Sequence, residues 1–119
     1  MANLYMGNSY HTLNIDTINS EVKDNKIGNY ALGEFKSDKN FYVSYIGRSD
    51  KCLKSRLKDH LGEPYKHFKF SYADSKKEAF EKECHNWHDF GENKKLKNEM
   101  HPDRPDGLSC NCPKCNKFD

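Results

Sequence analysis

Aliphatic side chains are scarce in this chain of 119 residues. Leu, Ile and Val number 8, 4 and 2, and the 7 Phe bring the strongly apolar set to 21, a little below the ~20% share that marks disordered chains. Disorder also needs a large charge of one sign, and that is missing too: 20 Lys+Arg face 18 Asp+Glu, a formal net charge of +2. One domain is expected at this length. Such a chain buries roughly two-thirds of its unfolded surface. The 15 aromatic residues and a bound metal are expected to supply what the aliphatics do not. No apolar run reaches the ~18 residues of a membrane span, and residues 1–20 have neither the basic start nor the apolar centre of an export signal. The expectation is a soluble, cytoplasmic protein without a membrane partner. There is no internal repeat.

The small net charge conceals an uneven distribution. Residues 48–77 hold nine basic and four acidic groups, a net +5, whereas residues 1–47 sum to −1 and residues 78–119 to −2. The basic third includes Arg48, Lys51, Lys54, Lys58 and Lys69, interleaved with His60, Tyr65, His67, Phe68, Phe70 and Tyr72. Cations suit phosphates and flat rings suit bases, so this stretch fits a polyanion such as DNA. A solvated helix face would carry the same charges.

Residues 1–26 are polar and Asn-rich and read as a loose extension with a short helix near Asp16–Val22. Two strands follow, Asn29–Phe35 and Phe41–Ile46, joined by the polar turn Lys36–Asn40 as a hairpin. Strict alternation in the second puts Phe41, Val43 and Tyr45 on one face and Tyr42, Ser44 and Ile46 on the other. Leu53, Leu57 and Leu61 form an i, i+4, i+8 stripe, which predicts a helix over Lys51–Leu61 stopped by Gly62, Glu63 and Pro64. His67–Tyr72 alternates again, with Phe68, Phe70 and Tyr72 inward. Ser75-x-x-Glu78 is a capping box that opens a helix from Lys76 to Phe90. The order strand, strand, helix, strand, helix predicts an α+β fold: a small three-stranded antiparallel sheet flanked by helices, with a zinc-stabilised C-terminal tail. The expected divisions are an extension over 1–26, a folded domain over 27–91 and a Cys-rich tail over 92–119.

Arg56 and His60 are i and i+4 on the leucine helix and border its buried stripe, where a guanidinium and an imidazole can bind an anion and move a proton. On the later helix Glu83 lies between the inward residues Ala79, Phe80 and Trp87. A carboxylate turned inward needs a partner, either a divalent cation or Arg56.

Gly28-Asn29-Tyr30, Tyr45-Ile46-Gly47, Arg56-x3-His60 and Glu78-Ala79-x3-Glu83 follow one another in the order of the motifs of the GIY-YIG nuclease family, and residues 27–90 resemble its catalytic domain. Asn29 replaces the middle Ile of the first tripeptide, and 14 residues separate the two tripeptides. The resemblance implies a metal-dependent endonuclease that hydrolyses DNA phosphodiesters. It implies that Glu83 holds a single Mg2+ or Mn2+ and that Tyr30 is the general base toward water. Tyr45 would orient that water, Arg56 would clamp phosphate oxygens, and His60 would relay a proton or hold Tyr30; Arg48 is a further phosphate contact. A phenol with an ordinary pKa near ~10 is a poor base at neutral pH, so cations such as Arg56, Lys54 or the metal are expected to favour the phenolate. The other reading of the same residues is a non-catalytic, zinc-stabilised module that binds nucleic acid. A homodimer would let one-phosphate sites cut two strands.

The cysteines are five, Cys52, Cys84, Cys110, Cys112 and Cys115. An odd number in a chain without an export signal argues against a disulfide framework. Cys112-x-x-Cys115 has the spacing of a zinc site, and Cys84 with His88, i and i+4 on one helix, supplies two more ligands. A structural Zn2+ on Cys84, His88, Cys112 and Cys115 is expected, with His101 or Cys110 as alternatives for one position. Cys52 reads as a small filler.

Overall fold

Four strands form one antiparallel sheet in the order β1-β4-β2-β3. The strands are β1 (His11–Thr12), β2 (Gly28–Phe35), β3 (Phe41–Ser49) and β4 (His67–Tyr72). The helices are α1 (Ile15–Glu21), α2 (Leu53–Lys58), α3 (Lys76–Asp89) and the single turn α4 (Glu92–Lys95). This computed structural model describes Leu4, Met6, residues 9–98, Pro102, Pro105 and residues 112–114. The fold is α+β, but the sheet has four strands instead of the expected three. The added strand, β1, pairs only His11 with Phe68 and Thr12 with His67, too few residues to leave a period in the sequence. Nor is the N-terminal segment loose: Asn14 caps α1 by accepting the Thr17 N–H at 2.8 Å, and Ile18 and Val22 enter the core.

The central strand β2 is covered on both faces. Tyr30 and Leu32 point toward α1 and α2, packing with Ile18, Val22, Leu53, Leu57 and Phe68. Ala31 points the other way, toward Leu4, Met6, Ile46, Trp87 and Leu96. Two thin cores thus share one sheet, with each large buried side chain contributing roughly 1.5–3 kcal/mol. Ser75 opens α3 by accepting the Glu78 N–H at 3.1 Å, and the Glu78 carboxylate returns to the Asp74 N–H at 3.0 Å. The second arm of the capping box therefore reaches one residue further back than the usual pattern.

Strand β3 departs from strict alternation. Leu32 pairs with Tyr45 but Gly33 pairs with Val43, so Ser44 is an extra, bulged residue. The bulge reverses the facing of everything after it. Phe41 and Val43 join Ile46 on the α3 side, while Tyr45 moves to the opposite face with Tyr30. A side chain at Gly33 would collide with the Tyr42 carbonyl, so the bulge requires glycine there.

Two further expectations are corrected. Tyr72 keeps to the face of Phe68 and Phe70, but at the strand end it is exposed instead of buried, and its hydroxyl accepts the Lys23 N–H at 3.0 Å. The leucine helix ends at Lys58, because the next turns tighten to i−3 hydrogen bonds, His60 to Leu57 and Leu61 to Lys58, each at 3.1 Å. No helix among the described residues is long and apolar enough to cross a membrane.

Candidate active site

Tyr30 is fully buried in the middle of the sheet, opposite Gly47 on β3. Its ring lies across that glycine, where any Cβ would strike the phenol. Tyr45 stands beside it on the same face, the two rings 6.3 Å apart and nearly parallel. The tightened turn after α2 carries His60 inward, and its Nε2 meets the Tyr30 hydroxyl at 2.7 Å. Its Nδ1 meets the Glu63 carboxylate at 2.9 Å. Arg56 reaches the same phenol from α2 with about half of its side chain exposed, and it holds Asp59 only loosely, at 3.9 Å.

Burial, with Tyr45 adding to it, pushes the Tyr30 phenol far above the ordinary range, and the Arg56 guanidinium opposes this without overcoming it. Burial likewise raises Tyr45. The expected phenolate is therefore disfavoured by the chain alone: removal from water outweighs one neighbouring cation. Lys54 does not help. Its amine turns to Asp24 at 3.5 Å and to the Asn19 carbonyl at 3.4 Å.

Glu83 approaches from the other face of the sheet. It is buried, and its partner is Arg48 at 2.5 Å rather than the anticipated Arg56. Arg48 in turn bonds Asp50 at 3.0 Å. Burial lifts the Glu83 carboxyl to about 7 even with that guanidinium in contact. Asn29 fixes the helix that delivers Glu83, donating from β2 to the Ala79 carbonyl at 2.8 Å.

These two groups meet where β3 forms the edge of the sheet. A cavity of about 500 Å3 there is lined by Tyr30, Tyr45, Arg48, Asp50, Arg56 and Glu83, with Lys51 beside them. His60 stands behind Tyr30 and does not line it. Of the five cationic residues expected to contact nucleic acid, Arg48 and Lys51 face the cavity while Lys54, Lys58 and Lys69 do not. Lys69 lies across the sheet, 5.5 Å from the Phe41 ring. The titratable donors facing the cavity are carboxylate and phenol oxygens, with neither sulfur nor imidazole among the described residues. That is the donor chemistry of a hard divalent ion such as Mg2+ or Mn2+, and the desolvated Glu83 carboxylate fits it.

Three participants escaped the sequence reading. Asp50 and Glu63 are charges in turns, where no period marks them. Asn98 caps the edge of β3: its side chain accepts the Ile46 N–H at 2.8 Å and donates to the Ile46 carbonyl at 2.6 Å. One carboxamide thus replaces a missing strand between Tyr45 and Gly47, and it lines the cavity. Only the general need to cover an edge strand pointed to it.

At the far side of α3, Cys84 and Cys112 pack together with Phe80, both sulfurs buried. Burial, followed by the hydrogen bond with Cys112, raises the Cys84 thiol well above its usual value. His88 binds the Glu92 carboxylate through Nδ1 at 2.5 Å and keeps Nε2 buried. Cys115, Cys110 and His101 lie outside the described residues, among which no three such ligands gather at one point. Cys52 is not a filler but the first residue of the turn into α2; its sulfur accepts from Ser55 Oγ and the Asn25 N–H, each at 3.4 Å, and these bonds, that of Ser55 first, lower its pKa.

Comparison with known protein families, with curated proteins and with solved structures finds no match to this chain.

Proposed function

We propose that the chain is a metal-dependent endonuclease of the GIY-YIG type, acting on DNA phosphodiesters. One observation carries the reading: two phenols from the hairpin, a guanidinium from α2 and a buried carboxylate from α3 line a single cavity. Glu83 would hold a single Mg2+ or Mn2+. Bound there, such an ion neutralises charge that builds on the phosphate and on the departing oxygen.

The chain's own residues then divide the work. Arg56, half exposed at the cavity, clamps non-bridging phosphate oxygens. Tyr45 orients the attacking water, and Tyr30 takes its proton. Because burial holds Tyr30 neutral, the phenol acts as a base only by passing its own proton to His60 Nε2, 2.7 Å away. Arg48 trades its bond to Glu83 for phosphate contact, and Lys51 extends the cationic rim. One site handles one phosphate, so one copy nicks one strand and a homodimer would cut both.

A structural Zn2+ on Cys84, Cys112, Cys115 and His88 would fasten the tail to α3, with His101 or Cys110 as the other possible ligands. The paired sulfurs of Cys84 and Cys112 support this, as does the carboxylate on His88 Nδ1, which orients a ligating imidazole in the usual way. Thiolate ligands suit the reducing cytoplasm.

The test is nicking of supercoiled plasmid with Mg2+ or Mn2+. Glu83→Ala and Tyr30→Phe should each lose roughly 100-fold or more in rate while still binding DNA. Variants that nick like the wild type would remove the assignment. The Arg48–Glu83 ion pair favours one other reading, a nucleic-acid-binding module whose carboxylate never takes a metal. Salt-sensitive DNA binding without cleavage in either metal would select it.

A further inference from the structure

Glu63 lies beyond the leucine helix, in the segment that ends it, and none of the motifs includes it. Its carboxylate stands 2.9 Å from His60 Nδ1, while His60 Nε2 stands 2.7 Å from the Tyr30 hydroxyl. The three side chains form one line from the surface, where Glu63 is 44% exposed, to the fully buried phenol. A carboxylate has only acceptor atoms, so it selects the tautomer with hydrogen on Nδ1. That choice leaves Nε2 bare and makes it the acceptor for the Tyr30 O–H. The opposite tautomer would present an N–H to the phenol and close the outlet for its proton.

We infer that Glu63 is a positioning residue which holds His60 in the Nδ1–H tautomer, so that Tyr30 can discharge its proton inward. This rests on the nuclease reading for its purpose, though not for its geometry. In the step it serves, water gives one proton to the Tyr30 oxygen as the phenol's own proton passes to His60 Nε2. The hydroxide so formed makes the new P–O bond, and the bond to the leaving oxygen breaks with its electron pair on that oxygen. The imidazolium that results lies against the Glu63 carboxylate. A carboxylate that orients a histidine in this way works through its partner and never touches the substrate.

The test combines two readouts on Glu63→Ala, a substitution at an exposed turn position that leaves both cores intact. Long-range proton–nitrogen correlation spectra of the protein labelled with nitrogen-15 report the His60 tautomer without any substrate. The wild type should show Nδ1–H, and the variant a mixture containing Nε2–H. Plasmid nicking with Mn2+ should fall by roughly tenfold to a hundredfold in kcat, with KM within twofold of the wild type. An unchanged tautomer, or a kcat within twofold, overturns the inference. If the wild type cuts nothing but its tautomer depends on Glu63, the orienting role stands and the nuclease reading falls.

Discussion

Glu83 carries its charge where the surroundings resist it. Burial raises its carboxyl from 4.5 to about 7, and the contact with Arg48 recovers only part of the loss. A folded-state pKa above the unfolded value means that the native protein binds the extra proton between those limits. Stability is therefore fully favoured below about pH 4.5 and declines as pH rises through 7, contrary to the usual behaviour of a salt-bridged carboxylate. A shift of this size corresponds to about 3 kcal/mol. Denaturant unfolding in a chelating buffer should show that decline between pH 5 and pH 8, and Glu83→Gln should flatten it. An equal slope in the variant would mean that other groups carry the effect. On the proposed role of Glu83 as the metal ligand, added Mg2+ should reduce the slope in the wild type. At this scale the sequence was informative where helical or strand spacing marked an inward polar group, as with Glu83, His60 and Tyr30. It was silent on which cation meets which anion, because Arg48 and Arg56 both act on Glu83 and spacing along the chain does not say which one makes contact.

The elements with a clear period, α2, α3, β2 and β4, were legible to within a few residues, since burying one face forces the spacing. The bulge at Ser44 was not. An extra residue leaves no mark on composition, yet it moves Tyr45 to the face of Tyr30 and brings Ile46 under α3. β3 is also an edge strand, and its exposed side beside the two motif residues is closed by Asn98 and by the Lys97 N–H, which donates to the Ser44 carbonyl at 2.6 Å. Asn98→Ala removes both side-chain bonds to Ile46 and leaves a half-buried peptide group unsatisfied, a loss of about 2 kcal/mol. Chemical denaturation should register that loss. Because Tyr45 and Gly47 flank the freed peptide, kcat for nicking should fall more than KM rises. A stability loss with unaltered kinetics would restrict Asn98 to edge protection.

The whole molecule has little apolar material to hold it, and it divides that material between two sides of one sheet. Ile18, Leu53 and Leu57 serve one side; Ala31, Ile46 and Trp87 serve the other, joined by Leu4 and Met6 ahead of β1 and by Leu96 just after α4. The wall of the candidate site includes Asn98 and Pro102, both beyond α4, so the integrity of the site depends on how firmly the tail returns to α3. Apart from the Asn98 carbonyl, which accepts the Trp87 Nε1–H at 3.4 Å, the described return contact is Cys112 against Cys84 and Phe80, and Lys114 bonding Asp89 at 3.2 Å. A thiolate-bound ion would convert that light contact into a fixed one, because metal binding to a site absent from the unfolded chain is folding free energy. Protein purified without chelator should therefore contain close to one zinc per chain by elemental analysis. Stripping it, or substituting Cys84→Ser, should lower stability by about 2 kcal/mol or more, on the order of 10 °C in Tm for a domain of this size. The loss should extend to plasmid nicking even with Mn2+ in excess, since the Asn98 wall loosens while Glu83 stays intact. A zinc-free protein whose melting is indifferent to both chelation and Cys84→Ser would leave the tail held by packing alone.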